Sequence, residues 1–427
     1  MKIALFIASL PEDELPKHQF PLNIGYLAAY LEEQIPGIEV KLSADVDEVI
    51  NEKPDLVGIS SVSQCFGFAE LAAKRFKEAL GIPVLLGGYH ISSLPHKMPV
   101  CFDVGVVGEG EIPLLEMVRL WIKKGAFTRP DLEKVKGICF HDGTGGVVQT
   151  PSPPPFPCID NLPYPKRNIS RGARNIYLFS SRGCVYRCKF CASTRHWKQF
   201  RAHSAEHVVE ELKYLKATYD AVSIQLLDDL FFADRKRLAK IAEILEKDNL
   251  LGEYLFDGFI SSNLATKETL LLAKKLGFKA IRFGGETGSD RLLKEMKGPQ
   301  ASVEHHQRCI DLCQEIGLEV RASFMLGTPG ETVEDLEATY RFLARNRDVL
   351  KIHGFYLTTP VPGTPYWDMA LAKNLVSEEM DWNRLNLDYL KDGSFRLEDA
   401  IYMNADLLPL DTVDAYFQRF KNDFKFN

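Results

Sequence analysis

Three of the nine cysteines fall within eight residues. The segment Arg182–Ser193 reads RGCVYRCKFCAS and sets Cys184, Cys188 and Cys191 in a CxxxCxxC run. Thiolates crowded on one short loop suit an iron–sulfur cluster, and three of them leave one iron of a [4Fe–4S] cube without a protein ligand. That open iron is what a redox-active enzyme needs to bind a substrate or a cofactor. Arg182, Arg187 and Lys189 put positive charge around the loop, which favours thiolate over thiol. Two other metal chemistries compete. One is a zinc site of three cysteines completed by His196 or His203, although zinc modules favour repeated CxxC pairs and no second pair occurs. The other is a four-cysteine electron-transfer cluster completed by Cys158 or Cys139. Cys65 and Cys101 stand apart, and Cys309 and Cys313 sit four residues apart on a helical pattern, a spacing that reads as core packing.

A loop of this kind needs a rigid frame. The run lies just after the first of six apolar strand patterns: NIYLFSS, AVSIQLLD, LFDGFISSN, AIRFGGE, VRASFMLG and KIHGFYLTTP. Amphipathic helical patterns alternate with them, which predicts six β/α repeats, close to a partial TIM-type barrel. In such barrels the chemistry collects at the carboxyl ends of the strands. The residues there are Asp228 and Asp229, Ser262 and Asn263, Gly284, Gly285 and Glu286, and Leu326 and Gly327. Either aspartate could instead cap the next helix. His305 and His306 read as solvent-facing.

The first ~130 residues carry a second α/β series, with strands KIALFIA, DLVGISSVS, PVLLGGYH and DVGVVGEGE between helical patterns. Continuous apolar strands of this kind predict a parallel sheet covered on both faces. In a flavodoxin-like (Rossmann-type) sheet, ligands bind beyond the strand carboxyl ends. The candidates are Ala8, Ser9, Ser61, Ser63, Gly87, Gly88, Gly108, Glu109, Gly110 and Glu111. His90, in GGYH, reads as a hydrogen-bonding loop residue. Between the two series lie a short hairpin pattern (KGICFHD and GGVVQT) and a stretch, PSPPPFPCIDNLPYPKR, with seven prolines in 17 residues. Such a stretch sustains neither a helix nor an inner strand. The expected organisation is therefore an α/β domain over 1–130, a hairpin and linker over 131–171, the partial barrel over 172–368 and a small mixed segment over 369–427. In that last segment and just before it, Tyr366, Trp367, Trp382, Tyr389, Phe395 and Tyr402 are aromatic candidates for lining a cleft.

The CxxxCxxC spacing with Phe190 before the last cysteine resembles the radical S-adenosylmethionine (SAM) signature. FRAHSAEHVVEELKYL, IQLLDDLFF, FGGETGSD and FMLGTPGET resemble, in order, successive segments of that superfamily's barrel. With the N-terminal domain included, the chain resembles the class that also binds cobalamin. The resemblance implies a [4Fe–4S] cluster on Cys184, Cys188 and Cys191, with SAM chelating the fourth iron and Phe190 near the adenine. It implies Glu286 on the ribose hydroxyls, Gly284 and Gly285 in close backbone approach, Leu326 and Gly327 beside the adenine, and Ser262 and Asn263 as polar contacts. Asp228 and Asp229 stand where many relatives carry Gly-Gly-Glu against the SAM amine. No DxHxxG motif occurs, so the implied cobalamin has its dimethylbenzimidazole base detached and no histidine on cobalt. The implied activity is reductive cleavage of SAM to a 5′-deoxyadenosyl radical, followed by methylation of an unactivated carbon of a small molecule. Radical cyclisation, oxidation or dehydration is the alternative, and a non-catalytic Fe–S or zinc module is the alternative of another class. A flavodoxin or ferredoxin would deliver the electron.

The 427 residues are 45% hydrophobic and 26% charged, with net charge −6. That is ordinary globular composition without the basic footprint of a nucleic-acid binder. The opening MKIALFIASLPEDELPK reads as a strand and not as a signal peptide, and no apolar run is long enough to span a bilayer. The expected compartment is the cytoplasm, where a disulfide framework does not persist.

Overall fold

The computed structural model describes residues 1–9, 21–169, 171–173, 175–385 and 401–424. The chain divides into two compact units, Met1–Ser170 with Glu378–Asn383, and Arg171–Ser377 with Arg384–Asn427.

The first unit is built on seven strands: β1 (Lys2–Ile7), β2 (Glu39–Ser43), β3 (Leu56–Ser60), β4 (Val84–Gly87), β5 (Val104–Val106), β6 (Ile138–His141) and β7 (Val147–Gln149). Their order is β2-β1-β3-β4-β5-β6-β7, parallel through β5 and antiparallel beyond it. The order 2-1-3-4-5 is that of the flavodoxin-like fold, with its switch point between β1 and β3. Both faces are covered, which is why the inner strands are apolar throughout. Ile3 and Leu5 of β1 share a cluster with Ile24, Ala28 and Leu31 of helix Leu22–Gln34 and with Leu114, Leu115 and Val118 of helix Glu111–Lys124. On the opposite face Phe6 meets Phe76 of helix Phe66–Leu80 edge-on at 5.4 Å. The hairpin β6–β7 extends the sheet past β5. The segment Glu378–Asn383 docks here as well. Glu378 and Glu379 pair with His96 and Lys97 at 3.1 and 3.2 Å, and Trp382 packs edge-on against His90 at 4.6 Å.

The second unit carries β8 (Asn175–Leu178), β9 (Ser181–Arg182), β10 (Arg201–Ala202), β11 (Ser223–Leu226), β12 (Leu255–Asp257), β13 (Phe259–Ile260), β14 (Ala280–Glu286), β15 (Glu319–Leu326) and β16 (Leu350–Leu357). Two parallel ladders, β8-β11-β12 and β13-β14-β15-β16, are joined where Gly258 interrupts one continuous strand into β12 and β13. The six expected β/α repeats are all present. On β15 alternate residues Val320, Ala322, Phe324 and Leu326 are buried, while Glu319, Arg321, Ser323 and Met325 take the other face, as the two-residue period of a strand requires. Cys309 and Cys313 are buried on helix Val303–Ile316, as their spacing suggested. The terminal helix Leu410–Asp423 stacks Phe420 on Phe355 of β16 at 5.0 Å. Tyr366, Trp367 and Tyr402 are buried, whereas Tyr389 and Phe395 lie outside the described residues.

Candidate active site

The cysteine loop leaves the sheet after β8 and returns through a two-residue antiparallel ladder in which Arg182 pairs with Arg201 and Ser181 with Ala202. Within it Gly183 is required. Its φ is +84° and an added Cβ would lie 2.6 Å from the Gln199 carbonyl oxygen. The Cys184 sulfur accepts the Tyr186 N–H, and the Cys191 sulfur accepts the N–H groups of Ser193 and Thr194. Backbone donors aimed at sulfur are what a metal-bound thiolate needs. The three groups are close enough that the charges of Cys184 and Cys191 raise the pKa of Cys188.

The expected role of the flanking cations needs correcting. Arg182 lies over the Trp197 ring, Arg187 donates to the carbonyls of Thr194 and Lys198, and Lys189 pairs with Glu295. Burial dominates instead and raises all three thiols, Cys188 to about 12. The cation that opposes it is Lys297, the last residue of helix Asp290–Lys297 and absent from the sequence-based candidates. Binding a metal here must therefore displace protons from the thiols.

Glu286 ends β14 with φ +58°, a left-handed conformation that costs a non-glycine residue free energy. Its Oε1 accepts a hydrogen bond from Lys297 Nζ at 3.0 Å, and the same ammonium donates to the Gly284 carbonyl at 2.9 Å. Burial works against the Lys297 charge, but Glu286, Cys188 and Cys184 outweigh it and raise the lysine's pKa. A cation and a carboxylate thus stand beside the cysteines. A Cβ at Gly284 would run into the Glu286 carboxylate and push it from its place beside Lys297. His306 is a second correction. It is 1% exposed, with Nδ1 2.7 Å from Ser262 Oγ and Nε2 3.0 Å from the Gly285 carbonyl, so it ties the β13 and β14 strand ends together. Its position is legible after the fact, because 306, 309, 310 and 313 form one helical stripe.

The neighbouring aspartates face opposite ways. Asp228 is 3% exposed and accepts from Ser180 N at 3.0 Å, from Ser180 Oγ at 2.7 Å and from Ser181 Oγ. Arg237 closes this network by donating to the Ser180 carbonyl at 2.7 Å. Asp228 therefore pins the strand that launches the cysteine loop and is not presented to a ligand. Nor does it cap the next helix, where Asp234 is the N-cap. Asp229 is exposed and accepts from Ser193 Oγ and Gly183 N beside the cysteines. Ser262 is engaged by His306, and Asn263 by the Tyr186 hydroxyl at 2.7 Å. Phe190 is half-buried on the loop.

After β15, Leu326 is buried and Gly327 takes φ +68°, where an added Cβ would come within 2.9 Å of the Tyr402 ring. The N–H groups of Gly327, at 2.6 Å, and Thr328 donate to the buried Glu331 carboxylate. Asn404 reaches the same loop from the C-terminal segment, accepting from Gly330 N at 2.9 Å and donating to the Glu331 carbonyl at 2.8 Å.

In the first unit the expected residues gather at the carboxyl ends of β1, β3, β4 and β5. Ala8 is buried, with its N–H on the Ser60 carbonyl, and Ser9 follows it half-buried. Gly88, at φ +95°, approaches β3 so closely that a Cβ would lie 2.6 Å from the Ser61 carbonyl. Gly87 and Gly108 stay half-buried at their strand ends, and a Cβ on Gly110 would press on Leu27 at 3.1 Å. Some candidates are already committed. Ser61 donates to the Val62 carbonyl, Ser63 bonds His90 Nδ1 at 3.1 Å, Glu109 accepts the Phe156 N–H and Glu111 is buried. His90, stacked on Phe66 at 3.6 Å, is held neutral, since burial lowers its pKa to about 3. Cys139 is fully buried in β6 beside Met98, which removes it as a fourth ligand.

The model of the Radical SAM superfamily matches residues 178–343, and that of the B12 binding domain matches residues 14–118. The chain is 30% identical over 386 residues to an uncharacterized methyltransferase of Pyrococcus horikoshii, covering 85% of this chain and 81% of that protein. This chain belongs to the cobalamin-dependent radical SAM enzymes. It is also 28% identical over 343 residues to the anaerobic magnesium-protoporphyrin IX monomethyl ester cyclase of Rubrivivax gelatinosus, covering 75% of this chain and 61% of that one. The fold matches that of TsrM from Kitasatospora setae, solved with cobalamin and a [4Fe–4S] cluster bound, with TM-score 0.74 and 18% identity over 98% of this chain and 88% of that one. The cofactors of this radical SAM enzyme are a [4Fe–4S] cluster, SAM and cobalamin. The donor set fits them: three thiols with N–H groups aimed at two of the sulfurs, and a lysine–glutamate pair beside them. Among the described residues no helix is long and apolar enough to cross a membrane.

Proposed function

We propose that this enzyme transfers a methyl group from SAM to an unactivated carbon of a small molecule. The observation that carries the reading is the CxxxCxxC loop at the carboxyl end of β8, facing the Glu286–Lys297 pair, in a chain whose other unit is a B12 binding domain. The curated relative from Pyrococcus, a methyltransferase by name, supports it. Cys184, Cys188 and Cys191 hold the cluster. When bound, the cluster and SAM supply a 5′-deoxyadenosyl radical, and cobalamin supplies the methyl carrier. The protein's own groups bind and orient. Lys297 is the cation suited to the methionine carboxylate of SAM, and Asp229 is the exposed carboxylate suited to its amine. Glu286 keeps one carboxylate oxygen for the ribose hydroxyls, while Gly284, Gly285, Leu326 and Gly327 give close backbone approach. Ser9, Gly87 and Gly108, half-buried at the strand ends of the first sheet, are the residues suited to line a corrinoid. A small electron-transfer protein such as flavodoxin or ferredoxin reduces the cluster.

Anaerobic turnover with methyl-labelled SAM and candidate substrates tests this. Label in the product, with one S-adenosylhomocysteine and one 5′-deoxyadenosine per turnover, is the expected result. Product formed with 5′-deoxyadenosine but without label or S-adenosylhomocysteine would replace methyl transfer with a radical cyclisation, the reaction that the Rubrivivax relative's name describes.

A further inference from the structure

Tyr366 opens helix Pro365–Ala372, just after the turn Val361–Thr364, where Thr364 Oγ donates to the Val361 carbonyl at 2.7 Å and accepts from Trp367 N. The side chain is 1% exposed, and its hydroxyl has no hydrogen-bond partner among the described residues. Leaving a buried donor unpaired costs about 1–3 kcal/mol, so this hydroxyl is free to take an acceptor that arrives with a ligand. Its surroundings say where. After burial itself, the groups that raise the phenol's pKa are Glu295, Cys188, Glu331 and Glu286. These come from the helix after β14, the cysteine loop, the β15 loop and the β14 strand end, so the hydroxyl sits among the elements that frame the cofactor. Nearby stands a second orphan. Glu331 is fully buried and gives one oxygen to the Gly327 N–H, while its Oε1 has no partner. Its pKa is raised to about 8, chiefly by burial.

We infer that the Tyr366 hydroxyl donates a hydrogen bond to a ring nitrogen of the adenine of bound SAM and so positions the nucleoside. A neutral acceptor is favoured by the charges around it. The carboxylates of Glu295 and Glu286 and a cluster cysteine already stand around the phenol, which disfavours bringing the methionine carboxylate there, and Lys297 offers that carboxylate a cation instead. Purine nitrogens are uncharged acceptors, and adenine's exocyclic amine is a donor that matches the free oxygen of Glu331. This inference rests on the assignment of Cys184, Cys188 and Cys191 to the cluster and of the β15 loop to the adenine.

Equilibrium binding of S-adenosylhomocysteine to reconstituted, oxidised enzyme tests it without turnover. Analogues in which CH replaces N1, N3 or N7 of the adenine are measured alongside. Y366F should bind the parent compound roughly 3- to 10-fold more weakly, the size of one neutral hydrogen bond, with iron content and circular dichroism unchanged. Wild-type enzyme should lose a similar factor with one of the three analogues, and Y366F should lose nothing further with that one. The wild-type series needs no variant to fold. If all three analogues bind like the parent, or if the losses of variant and analogue multiply, the inference is overturned. It also fails if Y366F binds normally but shifts the cluster's midpoint potential without SAM, because the hydroxyl would then serve the Cys188 sulfur. Wild-type enzyme with full iron that binds neither SAM nor S-adenosylhomocysteine would sink the assignment of the site itself.

Discussion

At the scale of single residues, the cysteines separate by what surrounds them. Cys184, Cys188 and Cys191 are half-exposed on one loop, whereas Cys309 and Cys313 are fully buried among apolar neighbours. Replacing any of the first three with Ala should abolish iron binding, measured as iron and acid-labile sulfide in anaerobically purified protein. Cys309→Ala should keep full iron and lose about 1–2 kcal/mol of stability as a small buried truncation. Stoichiometric zinc without sulfide would end the cluster reading. Glu286→Ala removes the partner of a buried ammonium. Breaking such a pair costs about 3–5 kcal/mol, so lower thermal stability and weaker SAM binding should appear together, with iron content retained. Normal SAM affinity in that variant would exclude Glu286 from the nucleoside site.

At the scale of elements, two buried networks fix the strand ends that present these residues. Asp228, Ser180, Ser181 and Arg237 lock the exit of β8 into the cysteine loop. Asp228→Ala would strand the buried Arg237 charge. It should cost about 3 kcal/mol or more and slow cluster reconstitution, whereas Asp229→Ala should leave the melting temperature nearly unchanged. Equal destabilisation by the two would contradict the opposite facings described above. His306 locks β13 to β14. Burial first, and then Lys297, lowers its pKa to about 3, against an unfolded value near 6.5. Between those values the unfolded chain binds a proton that the folded chain does not. The contribution of His306 is therefore complete above about pH 6.5 and shrinks by about 1.4 kcal/mol per unit as pH falls towards 3. A stability–pH profile of His306→Gln should be flatter than wild type by that slope between pH 4 and 6, and parallel profiles would refute the assignment.

At the scale of the whole molecule, the chain joins a flavodoxin-like unit to a unit of six β/α repeats, and its segment Glu378–Asn383 belongs to the first of them. The first unit has no cobalt-ligating motif of the DxHxxG type, and His90, which follows β4, is buried against Phe66 and Trp382. Cobalamin should therefore bind with no histidine on cobalt, visible in the absorption spectrum and in the paramagnetic spectrum of the cob(II) form. Nitrogen hyperfine splitting from an imidazole would overturn this. His90→Ala should change stability and leave that spectrum unaltered.

What the sequence determined by itself was the chemistry with local spacing. The CxxxCxxC run, the two-residue and 3.6-residue hydrophobic periods, and the glycines and carboxylates after apolar strands each depend on neighbours along the chain. They were enough to read two α/β units and the cysteine loop. What the tertiary structure decided was direction. Asp228 and Asp229 are adjacent, and only the long-range partners Ser180 and Arg237 make the first internal and leave the second at the surface. Lys297 stands 11 residues beyond Glu286 and reaches it because the helix between them folds back over β14. Tyr366 comes to the cysteines from beyond β16, and Trp382 leaves the barrel's own segment of chain for the first unit. In each of these cases the energy comes from burying or pairing a group against residues remote in sequence, which no local pattern encodes.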